Sequence, residues 1–140
     1  MGRGSRLAIA AACVGGALAG APACFADALE SGLLGAWTTN LPDCKRLFVR
    51  RGGPLVFRQP VDKFAQAAII QPQTIYMPAS SCHVRQVSRA KDVIKISADC
   101  QDSISYTSQS LQIKVRSNSE IVYSPTGDPT LDTTFIKCPL

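Results

Sequence analysis

The chain has 140 residues, 46% of them hydrophobic and 18% charged, with a formal net charge of +5. The charge, +3 once Arg3 and Arg6 are set aside, is too mild to imply a nucleic-acid surface. Beyond an N-terminal targeting segment, 114 residues remain, enough for one domain with a core small enough for covalent cross-links to matter.

The segment 1–26 places Arg3 and Arg6 ahead of 13 small and apolar residues, Leu7 to Ala19, followed by Ala-x-Ala-type pairs. That is the layout of a secretory signal peptide, and the run falls short of the roughly 20 residues a membrane-spanning helix needs. Cleavage is expected after Ala26, or after Ala23, which leaves residues 27–140 as the exported, periplasmic domain. Cys24 offers a competing lipidated N-terminus, the one route to membrane association in this reading.

After the tail DALESG, the text LLGAWTTN predicts a first strand with Leu33, Gly35, Trp37 and Thr39 on one face, and Pro42-Asp43 turns the chain. KRLFVRR and LVFRQ, separated by Gly52-Gly53-Pro54, predict a hairpin in which Leu47 and Val49 alternate with bases. Lys45, Arg46, Arg50, Arg51 and Arg58 lie here with no acid between Asp43 and Asp62. They read either as a docking site for an anionic partner or as a solvated face whose bases guard a strand edge. VDKFAQ is compatible with one helical turn over Val61 to Gln66, and the extended runs AII and TIY flank the turn Gln71-Pro72-Gln73.

The stretch from Cys82 to Cys100 predicts a hairpin turning around residues 89–93. Pairing Cys82 with Cys100 puts Val84 opposite Ala98, Gln86 opposite Ile96 and Ser88 opposite Ile94 on one face, and His83, Arg85 and Val87 opposite Asp99, Ser97 and Lys95 on the other. Opposed cysteines in such a pair are close enough to bond. Of the six cysteines, four follow residue 26, an even number that predicts two disulfides in an exported chain. With Cys82–Cys100 set by register, Cys44 is left for Cys138. Adjacent residues of a strand point to opposite faces, so His83, the only histidine, cannot activate Cys82 and is expected exposed, near Asp99. Further on, Ile104 and Tyr106 are expected to share a face, Leu111, Ile113 and Val115 alternate with Gln112, Lys114 and Arg116, Asn118-Ser119 turns, and EIVYS and TTFIKC are the last strands around the loop Pro125–Asp132.

Eight or nine short strands without a long helix predict an all-β fold, a small antiparallel meander barrel or sandwich of lipocalin or streptavidin type. The opening GAWTT, followed by a cysteine, resembles the Gly-x-Trp strand of calycin barrels such as lipocalins. That resemblance implies a tryptophan plugging one barrel end under a late-strand base, which here are Gly35, Trp37 and Lys137. Across nearly the whole of 27–140, Trp37, the four cysteines and the terminal Cys138-Pro139-Leu140 are similar to a family of small exported alpha-proteobacterial four-cysteine proteins, which implies compartment and fold. A local resemblance to periplasmic protease-inhibitor barrels, through the Gly-x-Trp strand and the tail DALESGLL, implies inhibition through Asp27–Gly32 and the barrel rim.

Nucleophile-base pairs, phosphate loops and zinc spacings are missing from the text, and no cofactor is expected. The pairs Asp99/Asp102 and Asp128/Asp132 have the chemistry for acid-base work or calcium, but aspartates in loops more commonly form turns. The sequence therefore reads as an exported, non-catalytic binding module for a protein or an anionic or small ligand, with protease or lysozyme-type inhibition as the alternative.

Overall fold

The computed structural model describes residues 25–26 and 28–140. The expected signal segment thus lies outside the described residues except for Phe25–Ala26, a two-residue strand β1 opposite Ser88 and Val87. Eight strands close into an antiparallel barrel in chain order. These are β2 (Gly35–Thr38), β5 (Ala67–Ile70), β6 (Thr74–Met77), β7 (Ser80–Ala90), β8 (Val93–Gln101), β9 (Tyr106–Ser117), β10 (Glu120–Pro125) and β11 (Thr133–Lys137). Closure comes from β11 returning to β2, with Ile136 opposite Thr38 and Lys137 opposite Trp37. Between β2 and β5 the chain leaves the barrel to form α1 (Asp43–Leu47), β3 (Phe48–Arg50) and β4 (Leu55–Phe57).

Alternation along the strands builds the interior. In β8, Ile94, Ile96, Ala98 and Cys100 are buried while Lys95, Ser97, Asp99 and Gln101 face outward or toward the rim. Leu111 and Ile113 of β9 and Ile121 of β10 join the same core, together with Trp37, Ile70 and Phe135. Both expected disulfides are present. Cys82–Cys100 bridges β7 and β8 inside the barrel with Cα atoms 3.9 Å apart, and Cys44–Cys138 ties α1 to the end of β11 with Cα atoms 5.6 Å apart.

Four local expectations are corrected. Apolar residues at 82, 84 and 87 break the two-residue period, and a bulge at Arg85 absorbs the extra residue. Beyond it Val87 lies opposite Ile96, Ser88 opposite Lys95 and Arg89 opposite Ile94, so Val87 points inward with 8% exposure instead of outward. The first strand begins at Gly35, because Ser31–Leu33 forms a 3-10 turn that drops Leu33 into the core, and it ends at Thr38. Lys45, Arg46 and Leu47 belong to α1 and not to a strand; Asp43 in its first turn pairs with Arg46 one turn on, and Cys44 meets Cys138. No helix forms over 61–66. Asp62 accepts the Phe64 N–H through its side chain and the Ala65 N–H through its carbonyl, a local turn that competes with a helix.

Candidate functional site: a pinned hairpin and the groove behind it

The insertion folds back over the outside of the barrel and makes a second core there. Ala36 and Ile69 supply the barrel side, Leu47 and Phe48 the insertion side, and Cys44–Cys138 the bond through them. Burying Phe48 to 1% and Leu47 to 6% exposure stabilises this contact by about 1.5–3 kcal/mol for each side chain. Strands β3 and β4 pair through Phe48–Phe57, Val49–Val56 and Arg50–Leu55. Phe48 and Phe57 stack with ring centroids 5.4 Å apart, which ties β3 to β4 across the hairpin. Gly52 and Gly53 take positive φ values of 66° and 110° at its tip, where a side chain would be strained.

The structure separates the five basic residues into two kinds. Arg46 is neutralised by Asp43 and Asp62, at 3.0 and 3.5 Å, and the Asp43 contact holds its guanidinium above its ordinary value. Among the described residues, Lys45, Arg50, Arg51 and Arg58 have no Asp or Glu partner. Arg50 donates to the Gly53 and Leu140 oxygens, and Arg58 donates to the carbonyl of Lys45. All five are exposed on or beside the insertion.

Behind β4 lies a groove of about 330 Å³, walled by Pro54 to Phe57 and floored by Ile69, Gln71, Tyr76 and Met77 of the barrel. Strand alternation does not encode it, because Ile69 and Tyr76 acquire a partner wall only when the insertion docks. The signal that was present is Tyr76 itself, an aromatic residue on the polar phase of β6 that remains 39% exposed.

Among the described residues, the barrel interior holds a smaller space. Trp37, Ile70, Ile113, Ile121, Tyr123 and Phe135 surround a void of about 30 Å³, the scale of one or two waters. At the mouth beyond the Cys82–Cys100 bridge a polar cup holds about 110 Å³, against the roughly 300 Å³ where small-molecule pockets begin. The opposite end is capped. The Trp37 indole N–H donates to the Leu33 carbonyl at 2.8 Å, and the ring is 1% exposed. The Lys137 ammonium lies 5.3 Å from the ring centroid and donates to the Gly32 carbonyl at 2.9 Å. Gly35 sits beneath it with φ 131°, where a Cβ would come within 3.2 Å of the Lys137 side chain. Leu29, 4% exposed, joins this cap and its N–H donates to the Pro72 carbonyl at 2.7 Å. From Leu29 onward, the expected free tail is therefore part of the fold.

His83 is exposed on the outer face of β7, where the strand pairing sets it opposite Asp99. His83 is thus exposed and beside Asp99 as expected, while the Asp99 carboxylate accepts from Arg85 at 2.5 Å and from the Ser108 hydroxyl at 2.7 Å. Arg85, which donates to Asp99, is the residue at the bulge. Ile104 does not share a strand face with Tyr106; it stands at the tip of the β8–β9 loop, 94% exposed. Asp102 and Asp128 are turn formers. Asp102 accepts the N–H groups of Ile104 and Ser105, and Asp128 the hydroxyl and N–H of Thr130.

These bonds pull three carboxyls below their usual range, Asp99 through Ser108 and then Arg85, Asp102 through the backbone N–H groups of its turn, and Asp128 through Thr130. A lowered value in the folded state means that the stabilisation is complete above the ordinary carboxylate value of about 3.9 and is lost as pH falls through the lowered values. Urea midpoints measured from neutral pH to roughly pH 2 are expected to hold level and then fall below that point, and Asp99→Asn is expected to make the fall shallower.

The arrangement is that of an eight-stranded up-and-down barrel with a filled interior, capped at one end, and with a groove of about 330 Å³ between the barrel and a cross-linked insertion. Its two disulfides are consistent with a protein that matures outside the cytoplasm. Compared with protein-family models, curated proteins and solved structures, the chain matches none.

Proposed function

We propose that this chain is an exported, non-catalytic binding module of the periplasm, and that it recognises a partner with the outside of its barrel. The observation that carries this reading is the contrast in space: about 30 Å³ inside the barrel against about 330 Å³ behind β4, beside four bases that pair with no Asp or Glu among the described residues. Export and processing near Ala26 rest on the charge and hydropathy pattern of residues 1–26, and the bonded state of Cys44, Cys82, Cys100 and Cys138 supports them. That same bonding takes all four thiols out of nucleophilic chemistry, and His83 lies exposed on the outer face of β7, which supports a binding role. The contact of Lys137 with Trp37 over Gly35 supports the calycin likeness, without a calycin's ligand cavity.

Inhibition through Asp27–Gly32 would require Leu29 to leave the core and give up its bond to Pro72, so the insertion, and not the tail, is the element we assign to recognition. Native mass spectrometry of protein purified from its source periplasm tests the reading. The expected result is the apo mass together with a complex of defined stoichiometry with another macromolecule. A small molecule retained one-to-one by the isolated chain would contradict it.

A further inference from the structure

The β3–β4 hairpin leaves one of its edges open, and its hydrogen-bond phase says which groups that edge offers. Arg51 N–H donates to the Pro54 carbonyl at 2.9 Å and Arg58 N–H to the Leu47 carbonyl at 2.8 Å. Hydrogen-bonded pairs alternate along an antiparallel ladder, so Val49 and Val56 form the bonded pair between them, and the N–H and C=O of Leu55 and Phe57 point away from β3. Strand β4 has no neighbour other than β3 among the described residues. The groove is lined by four consecutive residues, Pro54 to Phe57. Side chains of a strand alternate between faces, so a pocket touching four in succession runs along the strand's edge and not over one face.

We propose that this edge is a strand-addition site for an extended acidic segment of a partner protein, a proposal that rests on the reading that the insertion performs recognition. The segment's main chain bonds to Leu55 and Phe57, and an apolar side chain of the segment seats on Ile69 and Tyr76 in the space of about 330 Å³. Charge selects the segment. Arg50 and Arg51 stand before Pro54 and Arg58 follows Phe57, so bases bracket both ends of the stretch. No acid of the chain lies between Asp43 and Asp62 to compete for them. At about 3.3 Å per residue the edge from Pro54 to Phe57 reads three or four residues of the partner, a length that places carboxylates flanking an apolar centre against the bases at the two ends. A lipid surface is disfavoured because a headgroup uses neither the directional donors and acceptors at Leu55 and Phe57 nor an apolar floor set below the strand edge.

The probes are acetyl-Glu-Val-Leu-Val-Glu-amide and a panel varying its three central apolar residues, a lysine-flanked counterpart, and a version N-methylated at the central amide. They are titrated into nitrogen-15-labelled oxidised protein. The expected result is saturable shifts centred on the Leu55 and Phe57 amides with the acidic probes. Binding is expected to weaken about tenfold with lysine flanks or with Arg51→Gln/Arg58→Gln, the sum of two exposed charge contacts, while the melting temperature of that variant stays unchanged. Equal binding of acidic and lysine-flanked probes, shifts centred elsewhere, or no saturable shift from any member at millimolar concentration would overturn the proposal. So would arginine-dependent binding to phosphatidylglycerol vesicles with no response to the peptides, and in that case the bases serve a lipid. A macromolecular partner seen by native mass spectrometry but mapped away from β4 would sink this inference and leave the general reading standing.

Discussion

Replacing Cys44 and Cys138 together by alanine is expected to cost about 5 kcal/mol of unfolding free energy, the larger of the two disulfide effects. The bond closes 94 residues, whereas Cys82–Cys100 closes 18 and is expected to contribute about 3 kcal/mol on the same loop-entropy reasoning. A single domain of this size has a total of only about 5–15 kcal/mol, so the double variant stands near the edge of folding. The location of the bond adds a second effect that loop length does not contain. Cys44 and Cys138 are members of the core between insertion and barrel, and without the bond that contact is left to Leu47, Phe48 and their apolar neighbours. The hairpin then detaches at a lower denaturant concentration than the barrel, and its unfolding separates from that of the barrel. Urea titration followed by circular dichroism and by the shift of Trp37 fluorescence reads both effects. Coincident transitions at the wild-type midpoint would contradict them.

Trp37→Ala is expected to cost about 3–5 kcal/mol, the range for emptying a large aromatic site in a core. The ring is 1% exposed and belongs to the main core with Ile70, Ile113 and Phe135, and its N–H satisfies the Leu33 carbonyl at 2.8 Å. Truncation leaves a cavity beneath Lys137 and orphans that carbonyl. Trp37→Phe separates the two contributions, keeping most of the volume and losing the hydrogen bond, for about 1–3 kcal/mol. Gly35→Ala reaches the same cap from below by forcing a positive φ on a residue with a Cβ that presses on Lys137, and is expected to cost about 1–3 kcal/mol. Chemical denaturation followed by circular dichroism ranks the three; Trp37→Ala at or below the cost of Trp37→Phe would show that the cap is not part of the core.

Much of the barrel was legible because alternation is a local signal. The β8 run Ile94, Ile96, Ala98 and the β9 run Leu111, Ile113, Val115 declare their inward faces residue by residue, but strand order leaves barrel and sandwich open, and the pairing of β11 with β2 decides for the barrel. Cys82 opposite Cys100 was legible for the same reason, since register near the bridge is fixed by the bond and by Val84 opposite Ala98. The bulge at Arg85 was not taken from the text although Val87 announces it, because a period-2 template carried past Val84 places that valine among lysine and arginine. The insertion was legible as a basic hairpin but not as a docked one. Its contact with Ile69 and its groove arise from side chains distant in sequence, and no local period encodes them. The bases divide for a partly local reason: once α1 forms, Asp43 stands one turn before Arg46 and pairs with it at 3.0 Å, with the more distant Asp62 at 3.5 Å, whereas Arg51 and Arg58 have no such neighbour among the described residues.

The central claim is that Cys44–Cys138 makes the basic hairpin a fixed part of the barrel's outer surface. Amide hydrogen exchange tests it in the oxidised protein and in the Cys44→Ala/Cys138→Ala variant. The account predicts that the Val49 and Val56 amides, paired between β3 and β4, are protected in the oxidised protein and exchange rapidly in the variant, while β7, β8 and β9 keep their protection. Rapid exchange at Val49 and Val56 with the bond intact, or unchanged protection after its removal, would contradict it.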